Sequence, residues 1–583
     1  MDNFNTPGEH TGRSFTDVAH SAAFILLSAN IILSPWCYGS WEQWWFWPMM
    51  LLLLAAGFCS GVGALAESIL PDALKSSLTG RFRSSRKIAA LGIAAAPFLL
   101  YALARSQYPS GMNRPLVALH AERSLLLLFS PVLIAFVSFL SLTRRRLRIL
   151  FAAMLANIAV IAFYGALMRL CCAIFPYPDD PKAGLDLVLW TRLPYYFGRA
   201  KGTFYCPSHF SAFINFGICI LTAIAFLPPG KNGISLKRRI AAGAAALLLL
   251  FPNSLSQSRG GMISLALALA IGIPAFAMRG YKRSFRILAP LGFIALICAA
   301  FFIMLEATNV GNRLKSNSVY RVLTDKSAAE KSETLGKRIS NAFWYDFDRG
   351  QYIDSALRAW KSNPIVGIGP GQHAVRWPEF DATRVTHDGS PIERPVDGDL
   401  TTMRRPRLTN DSVQLYEVHS DWTQLLEEFG VIGILLFLPL IVLLMISLYG
   451  NQTLTLRKAE ISAAKQNSGS DADAENADAE GDGDDDDGEE EDEEEIAARR
   501  AATRRTRRRR RHSRNHRVRD TIPWRSGESA TPFELSFPLA AMLCALVIII
   551  HSLGDFSLQI PSLTWMLSFI LTAGILSASK THR

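Results

Sequence analysis

The sequence is poor in charged residues and in cysteine. Only 19% of its 583 residues are Asp, Glu, Lys or Arg, whereas roughly 25% is usual for a soluble domain. The eight cysteines form no CxxC pair, so neither a disulfide framework nor a zinc site is indicated. This composition excludes a soluble enzyme with one compact core, a fibrous chain and a wholly disordered chain.

Hydrophobic residues make up half of the chain and gather in long blocks. Most blocks are about 17–25 residues long, the length of helix that crosses a hydrocarbon core of about 30 Å. We therefore predict an all-α polytopic membrane protein with about twelve transmembrane helices. The predicted spans lie near 18–36, 44–66, 88–104, 122–142, 149–170, 203–228, 240–252, 261–278, 287–304, 428–448, 534–552 and 562–578.

Lysine and arginine in the connecting loops predict the orientation. Four loops carry four or five basic residues each, namely 67–87, 143–148, 229–239 and 279–286. They alternate along the chain with loops that carry fewer basic residues on average. Because basic loops stay in the cytoplasm, these loops and both termini are predicted to be cytoplasmic. The chain's excess positive charge therefore reflects membrane topology and not nucleic-acid binding.

These spans leave a short tail and two long segments between helices. We predict a cytoplasmic tail at 1–17, helices 1–9 within 18–304 and an outer loop at 305–427. Helix 10 follows at 428–448, then a cytoplasmic loop at 449–533, and helices 11–12 with the end of the chain at 534–583. The cytoplasmic loop holds 17 Asp or Glu within 471–495 and 12 Arg within 499–519. Such composition cannot bury a core, so this loop is predicted to be disordered. It is either a solvated linker or an arginine block that lies on anionic headgroups.

The outer loop contains plausible amphipathic helices near 321–345 and 351–362. The glycine-rich loop GIGPGQH at 367–373 follows the second of them. It follows no strand and opens no obvious helix, so it is interpreted as a turn and not as a phosphate-binding loop. No Asp-rich DxD cluster lies on the outer side, so no metal site is predicted.

Arg259 is the most informative single residue, because it stands at the predicted outer mouth of a span, in SRGG. A guanidinium at a membrane face is costly without a partner, and its planar fork suits phosphate oxygens. We interpret Arg259 as an anion clamp, with snorkelling to headgroups as the alternative. Gly260 and Gly261 are expected to let a bulky ligand approach the backbone.

Arg199 and Lys201 form a second basic group directly before the sixth span. This loop is predicted to be on the outer side, where topology disfavours positive charge. Retention for an anionic ligand is therefore the functional interpretation, and charge at a span edge is the alternative. His209, which follows in the span, is expected to be a packed histidine.

His419 ends the outer loop just before the tenth span. An imidazole there can take a proton from an acceptor hydroxyl near physiological pH. Asp421 and Glu417 are close enough in sequence to orient it, although a polar helix cap would also explain this cluster. His373 lies in the same outer loop and is expected to be solvated.

These residues resemble the O-antigen ligase family of bacterial inner-membrane glycosyltransferases, which is grouped with O-antigen polymerases and O-linked oligosaccharyltransferases. His419, Ser420, Gly430 and Gly433 fit the pattern H-[NSQ]-x9-G-x-x-[GTY]. Four other segments are also similar to family segments: GRAKGTFYCPSHFSAF at 198–213, SRGG at 258–261, NPIVGIGPGQH at 363–373 and HSLGDFSLQIP at 551–561. Two features depart from the family: the charged insertion, and Pro207-Ser208 where Asn is frequent.

The resemblance implies a twelve-helix fold with one large periplasmic loop and a location in the bacterial inner membrane. It implies a glycan donor on undecaprenyl diphosphate and a glycolipid or protein acceptor, with no metal, nucleotide or other cofactor. Arg199, Arg259 and Lys201 would bind the diphosphate, His419 would act on the acceptor as general base, and Asp421, Gly260 and Gly261 would support them.

Three rival functions remain open at this point. A polymerase or a protein O-oligosaccharyltransferase would use the same donor with another acceptor. Twelve helices would also fit a transporter of lipid-linked glycans, but a transporter predicts charged residues near span centres, and most span centres here are apolar. A scaffold that uses only the charged loop would need neither Arg259 nor His419.

Overall fold

The computed structural model describes residues 14–70, 86–108, 117–174, 176–177, 180–184, 199–227, 235–277, 348–380, 417–477 and 532–577. Fourteen α-helices lie in these ranges, in chain order: α1 Phe15–Leu33, α2 Gln43–Ile69, α3 Arg86–Gln107, α4 Ala118–Ser141, α5 Arg144–Ile174, α6 Pro207–Ala225, α7 Leu236–Leu255, α8 Arg259–Gly272, α9 Asp348–Ser362, α10 His373–Arg376, α11 Asp421–Ala477, α12 Pro532–Leu535, α13 Phe537–His551 and α14 Pro561–Leu576. The strands in this part of the chain are one short antiparallel hairpin, Pro176–Tyr177 with Asp180–Gly184.

The structure confirms the predicted helical class. Eleven of the twelve predicted spans fall on described helices, and the ninth, 287–304, lies outside the described residues. By length and composition, eight of the described helices can cross a membrane: α1 to α6, α11 and α13. Helix α7, which has three basic residues in its first turn, is not among them, and the apolar α8 and α14 are shorter. A total of twelve spans stays a prediction.

Helix α6 lies at the centre of the bundle. Nearly all of its residues are buried, including Phe210, Phe213 and Phe216. It packs against α5, α7, α8 and α13. Large apolar side chains on α1 to α5, α7, α8 and α11 instead remain exposed, as expected for helix faces that contact lipid. The bundle is thus most tightly packed around α6, and the predicted site residues stand at one end of this core.

Contacts bring together the starts of α6, α8 and α11 and the last residues of α7 and α13, and this end of the bundle is here called the upper end. At the lower end, side chains of opposite charge type form contacts between helices. Arg144, at the start of α5, pairs with Glu534 of α12 at 3.3 Å, and His20 of α1 lies 3.3 Å from Glu67 of α2. These lower-end contacts hold the helix pairs together away from the candidate site.

Helix α11 departs from the predicted tenth span in two ways. It kinks at Gly430, where φ is +64° and ψ is −167°, a conformation that disfavours any residue with a Cβ. It also continues to Ala477, well beyond the predicted end at 448 and into the predicted cytoplasmic loop. Good helix formers such as Lys, Glu and Ala follow position 456, whereas most of the acidic run and the whole arginine run lie outside the described residues.

Candidate active site

The sequence segments that carry the family resemblance converge at the upper end of the bundle. Asp421, the first residue of α11, donates its backbone N–H to the Asp555 carbonyl at 3.1 Å. His209, near the start of α6, lies edge-on against Phe556 with ring centroids 4.6 Å apart. The turn after α13 therefore contacts both the start of α11 and the start of α6, although these elements are far apart in sequence.

His419 lies two residues before the start of α11, and its ring is held between two aromatic rings. Tyr352 of α9 stacks on it with centroids 5.3 Å apart, and Phe556 meets it edge-on at 4.7 Å. Its φ is +62°, a value that residues other than glycine seldom adopt. Strain of this kind persists only where the surroundings impose it, and it is frequent at active sites. The predicted base therefore has a constrained position beside α9.

Asp421 supports His419 through the turn that follows α13. Its Oδ2 atom accepts hydrogen bonds from the Ser552 hydroxyl at 2.6 Å and from the Leu558 backbone N–H at 3.0 Å. These bonds fix the turn that presents Phe556 to His419. Glu417, the other carboxylate predicted to lie near His419, accepts a hydrogen bond from the Gln424 amide at 2.8 Å.

Asp555 lies between two histidines, one of which sequence reasoning did not single out. One carboxylate oxygen is 3.4 Å from His209 Nε2, and the other is 3.6 Å from His551 Nε2. All three side chains are buried, so His209 is packed as predicted. Helix α13 ends at His551 and Asp555 lies in the following turn, so no helical spacing in the sequence indicated this pair.

Arg199 lies across the joint between α7 and α8. Its Nε donates to the Ser256 carbonyl at 2.9 Å and its Nη2 to the Gln257 carbonyl at 3.3 Å. Arg259 is the first residue of α8 and is half-buried at the same joint, and Lys201 follows two residues after Arg199. The structure thus brings the predicted diphosphate-binding residues to one basic region at the upper end.

Gly261 has a clear role in helix packing, whereas the approach of a ligand to Gly260 and Gly261 stays a prediction. A Cβ on Gly261 would lie 2.0 Å from the Ser211 hydroxyl. The Asn215 amide also donates to the Gly261 carbonyl at 2.8 Å. Gly261 therefore lets α8 pack closely on α6, and Gly260 brings α8 near His551, whose ring would be 3.4 Å from an added Cβ.

The glycine-rich loop is a turn after α9, as predicted, although the short helix α10 begins at its last residue, His373. The loop packs closely against the kink in α11. The Gly369 N–H donates to the Glu428 carbonyl at 2.9 Å. A Cβ on Gly367 would lie 2.4 Å from the carbonyl carbon of Glu428, and one on Gly430 would lie 2.4 Å from the Ile365 carbonyl oxygen. Only glycine permits this approach on both sides, which explains two of the glycines in the family-like segments.

His373 corrects a prediction, because it is buried and not solvated. It is only 2% exposed, and its Nδ1 is 3.1 and 2.9 Å from the two carboxylate oxygens of Glu427. Burial alone lowers the pKa of His373, but the charge and hydrogen bond of Glu427, with Glu428 and Glu417 nearby, outweigh burial and raise this pKa. The glycine-rich loop thus attaches to α11 through a buried ion pair.

We expect His373→Gln to destabilise the protein most at acidic pH. The folded pKa of His373 is raised above its ordinary value of about 6.5. Its stabilisation is therefore complete below about pH 6.5 and is lost as pH rises through the folded pKa. Removing one partner of a buried ion pair costs about 3–5 kcal/mol.

The measurement is the thermal unfolding midpoint of both proteins in one detergent, from about pH 5.5 to about pH 10. Arg376→Gln is the control, since Arg376 makes an exposed ion pair with Glu379 at 2.8 Å, and exposed pairs contribute about 0–1 kcal/mol. A His373→Gln deficit that stays constant over this range would show that His373 acts only as a neutral hydrogen-bonding group.

The site offers cationic side chains for an anion more readily than ligands for a metal. Within the described ranges, no group of three or more His, Cys, Asp or Glu side chains is arranged to hold a metal ion. Arg199, Arg259 and Lys201 instead supply positive charge near the α7–α8 joint. This arrangement suits a phosphorylated ligand beside an imidazole that can accept a proton.

Comparison with known proteins agrees with this assembly. Residues 241–438 match the family model described as O-antigen ligase. The matched segment includes Arg259, the glycine-rich loop and His419, and it ends within α11. A search of curated proteins gives no match to this chain. The family match confirms the resemblance that the sequence motifs indicate.

Proposed function

From the match of residues 241–438 to the O-antigen ligase family model, we propose that the protein transfers a glycan en bloc from undecaprenyl diphosphate to an acceptor hydroxyl. The family match and the apolar helices support a multi-pass membrane protein with a role in glycan transfer. The donor, the acceptor and the chemistry are parts of the proposal. A single observation carries it: a conformationally constrained His419 at the same end of the bundle as the arginine-bearing α7–α8 joint.

In the proposed reaction, the His419 imidazole accepts the proton of the acceptor hydroxyl. The acceptor oxygen then forms a bond to the anomeric carbon of the donor sugar, and the bond from that carbon to the diphosphate oxygen breaks. Undecaprenyl diphosphate leaves with the bonding electron pair. Arg199, Arg259 and Lys201 stabilise the negative charge that develops on the leaving group, which is an electrostatic contribution to the rate.

Membrane anchoring of the donor supplies a further part of the rate. Both substrates are held at one surface, so the reaction avoids much of the entropy cost of a bimolecular encounter. We place the upper end of the bundle at the periplasmic face of the bacterial inner membrane and both termini in the cytoplasm. The loop charges support this orientation, because the described parts of the basic loops, 86–87, 143–148 and 235–239, lie at the lower end.

The proposal is tested by transfer in vitro. Purified full-length protein in nanodiscs receives an undecaprenyl-diphosphate glycan with lipid A-core, with a peptide acceptor or with no added acceptor. Transfer to lipid A-core identifies a ligase, transfer to peptide identifies a protein transferase, and chain extension of the donor identifies a polymerase. Release of no undecaprenyl diphosphate in any arm would refute glycan transfer.

We expect transfer to survive removal of divalent metal. The arginines and Lys201 occupy the role that Mg²⁺ has in many enzymes acting on phosphorylated substrates. Initial rates are compared with and without EDTA, and after Mg²⁺ or Mn²⁺ is added back, and the three rates should agree within about twofold. If EDTA abolishes transfer and Mg²⁺ restores it, the reaction needs a metal, and Glu417, Asp421 and Asp411 become the candidate ligands.

A further inference from the structure

Three buried polar side chains connect α6, α7 and α8 beside the α7–α8 joint. The Ser211 hydroxyl of α6 donates a hydrogen bond to Oδ1 of Asn253 in α7, and the Asn253 amide donates to Oδ1 of Asn215 in α6 at 2.9 Å. The Asn215 amide then donates to the Gly261 carbonyl of α8 at 2.8 Å. Ser211 and Asn215 are fully buried, and Asn253 is 1% exposed. Ser211, Asn215 and Asn253 are here called the polar network.

The polar network reaches α8 at the turn that carries Arg259. Arg259 is the first residue of α8, and Gly261 follows two residues later. Just before Arg259, the Ser258 hydroxyl caps α8 by accepting a hydrogen bond from the Gly261 N–H at 3.1 Å, and it lies 3.4 Å from the Ser208 hydroxyl of α6. The backbone of Arg259 therefore lies between two points at which α8 is attached to α6.

The joint itself has a conformation that needs support. Gln257 has φ of +50°, which residues other than glycine seldom adopt, and such strain persists only where neighbouring contacts impose it. The Ser256 hydroxyl donates to the Asn253 carbonyl at 2.6 Å, and the Ser258 N–H donates to the Ser256 hydroxyl at 3.2 Å. Asn253 thus contacts the joint with its backbone and Asn215 with its side chain.

The polar network sets the position of α8 more than it satisfies an isolated polar group. The Gly261 carbonyl also accepts a hydrogen bond from the Ser264 hydroxyl of α8 at 3.0 Å, so burial of this carbonyl does not by itself require Asn215. In the apolar surroundings of α6, a leucine would pack without the cost of burying an amide. Asn215 and Asn253 each use both their oxygen and their N–H, so the network fits one register of the helices only.

We propose that Asn215 and Asn253 are positioning residues, which hold the first turn of α8 where the Arg259 guanidinium can pair with a lipid diphosphate. This inference rests on the proposed glycan transfer and extends it to side chains that do not touch the substrate. A guanidinium binds phosphate oxygens through two parallel hydrogen bonds, whose strength depends on geometry. Because a displacement of about 1 Å can lower an enzymatic rate by about 10²-fold, a small shift of α8 is enough to impair the site.

The first test is lipid binding by the full-length protein in nanodiscs. The probe is radiolabelled undecaprenyl diphosphate without a glycan, and undecaprenol is the reference lipid that lacks the diphosphate. Asn215→Leu is nearly isosteric and removes the bond between α6 and α8. It should weaken binding of undecaprenyl diphosphate about tenfold, the effect of one lost charge-assisted hydrogen bond. Binding of undecaprenol should stay within about twofold, since undecaprenol offers Arg259 no phosphate oxygens.

Ser264→Ala is the matched control, because it removes a hydrogen bond to the same Gly261 carbonyl from within α8. It should bind both lipids like the unmutated protein. The thermal unfolding midpoint of Asn215→Leu should stay within about 3 °C of the unmutated value, since an apolar group of similar shape replaces the amide. Ser211→Ala, a milder change at the far end of the network, should weaken diphosphate binding about threefold.

A double-mutant cycle tests whether Asn215 acts through Arg259. In an Arg259→Lys background, Asn215→Leu should weaken diphosphate binding by less than about twofold further, because the contact that Asn215 positions is already lost. Hydrogen exchange gives a readout that needs no lipid. Backbone amides of residues 256–261 should exchange faster in Asn215→Leu than in Ser264→Ala, as expected for a joint that opens more often.

Three results would overturn the inference. A lower unfolding midpoint with unchanged diphosphate binding would show that the polar network only packs helices together. Equal losses from Asn215→Leu with Arg259 and with Lys at position 259 would show that Asn215 acts independently of Arg259. Unchanged hydrogen exchange at 256–261 would show that the network does not hold the joint. Failure of the proposed function is distinguishable, because the unmutated protein would then bind undecaprenyl diphosphate no better than undecaprenol, or release none in the transfer assay.

Discussion

His419→Asn is expected to reduce glycan transfer by about 10²–10⁴-fold, the usual contribution of a general base, while donor binding stays within about twofold. The reason is that different residues are proposed to act on the acceptor and to bind the donor. In the proposed reaction, the imidazole acts on the acceptor hydroxyl, whereas the donor diphosphate is bound at the α7–α8 joint. The measurement is paired: donor affinity and initial transfer rate are determined on the same nanodisc preparation.

Asparagine is chosen because φ of His419 is +62°. Asn tolerates this left-handed conformation better than most residues, so the variant tests chemistry with little added backbone strain. His419→Ala should also lose transfer, and its thermal unfolding midpoint reports any extra strain. Lys361→Ala, in the last turn of α9, is the control for a change in the same part of the large loop. Transfer by His419→Asn at the unmutated rate would remove His419 from the reaction.

Arg259→Lys is expected to impair both donor binding and transfer by roughly 10–100-fold, the effect of losing a charge-assisted hydrogen bond. Net charge is unchanged by this substitution. However, an ammonium cannot reproduce the planar, two-point contact of a guanidinium with phosphate oxygens. Arg259 begins α8 at the joint that Arg199 crosses, so the loss should fall on the donor and not on the acceptor.

The matched control is Arg238→Lys, which makes the same change at an exposed position in the first turn of α7. It should bind donor and transfer glycan like the unmutated protein. Both variants should insert normally, since neither substitution changes a buried apolar face. If Arg259→Lys also behaves like the unmutated protein, Arg259 serves only as an anchor at the membrane face, and the diphosphate must be bound by other groups.

Hydropathy alone predicted most of the helical framework. Eleven predicted spans coincide with described helices, because a segment in a bilayer must satisfy its own backbone hydrogen bonds and cover itself with apolar side chains. Both requirements are local, so they are visible in a window of about twenty residues. The pattern around His419 was also local, since His419, Gly430 and Gly433 lie within one short stretch of chain. That stretch accordingly indicated the family, and the match over residues 241–438 confirms it.

The bounds of helix α11 and the burial of its first turns could not be predicted from a local sequence window. Its apolar stretch predicted a span at 428–448, but the helix begins at Asp421 and continues to Ala477. The polar residues of its first turns carry no apolar signal, yet they are buried. Contacts with the glycine-rich loop and with the turn after α13 stabilise them. Burial of polar residues depends on partners, which a hydropathy window does not contain.

The sequence by itself determined the membrane-embedded helical class, the candidate base and the basic residues, because each of these is encoded by neighbouring residues. Only the tertiary structure decided which side chains share the site. His373 meets Glu427 across 54 residues of sequence, and Asp555 meets His209 from the other end of the chain. Gly261 proved to be a packing position because Ser211 stands opposite it. Such pairings depend on how helices pack against one another, and a single sequence records helix faces but not their neighbours.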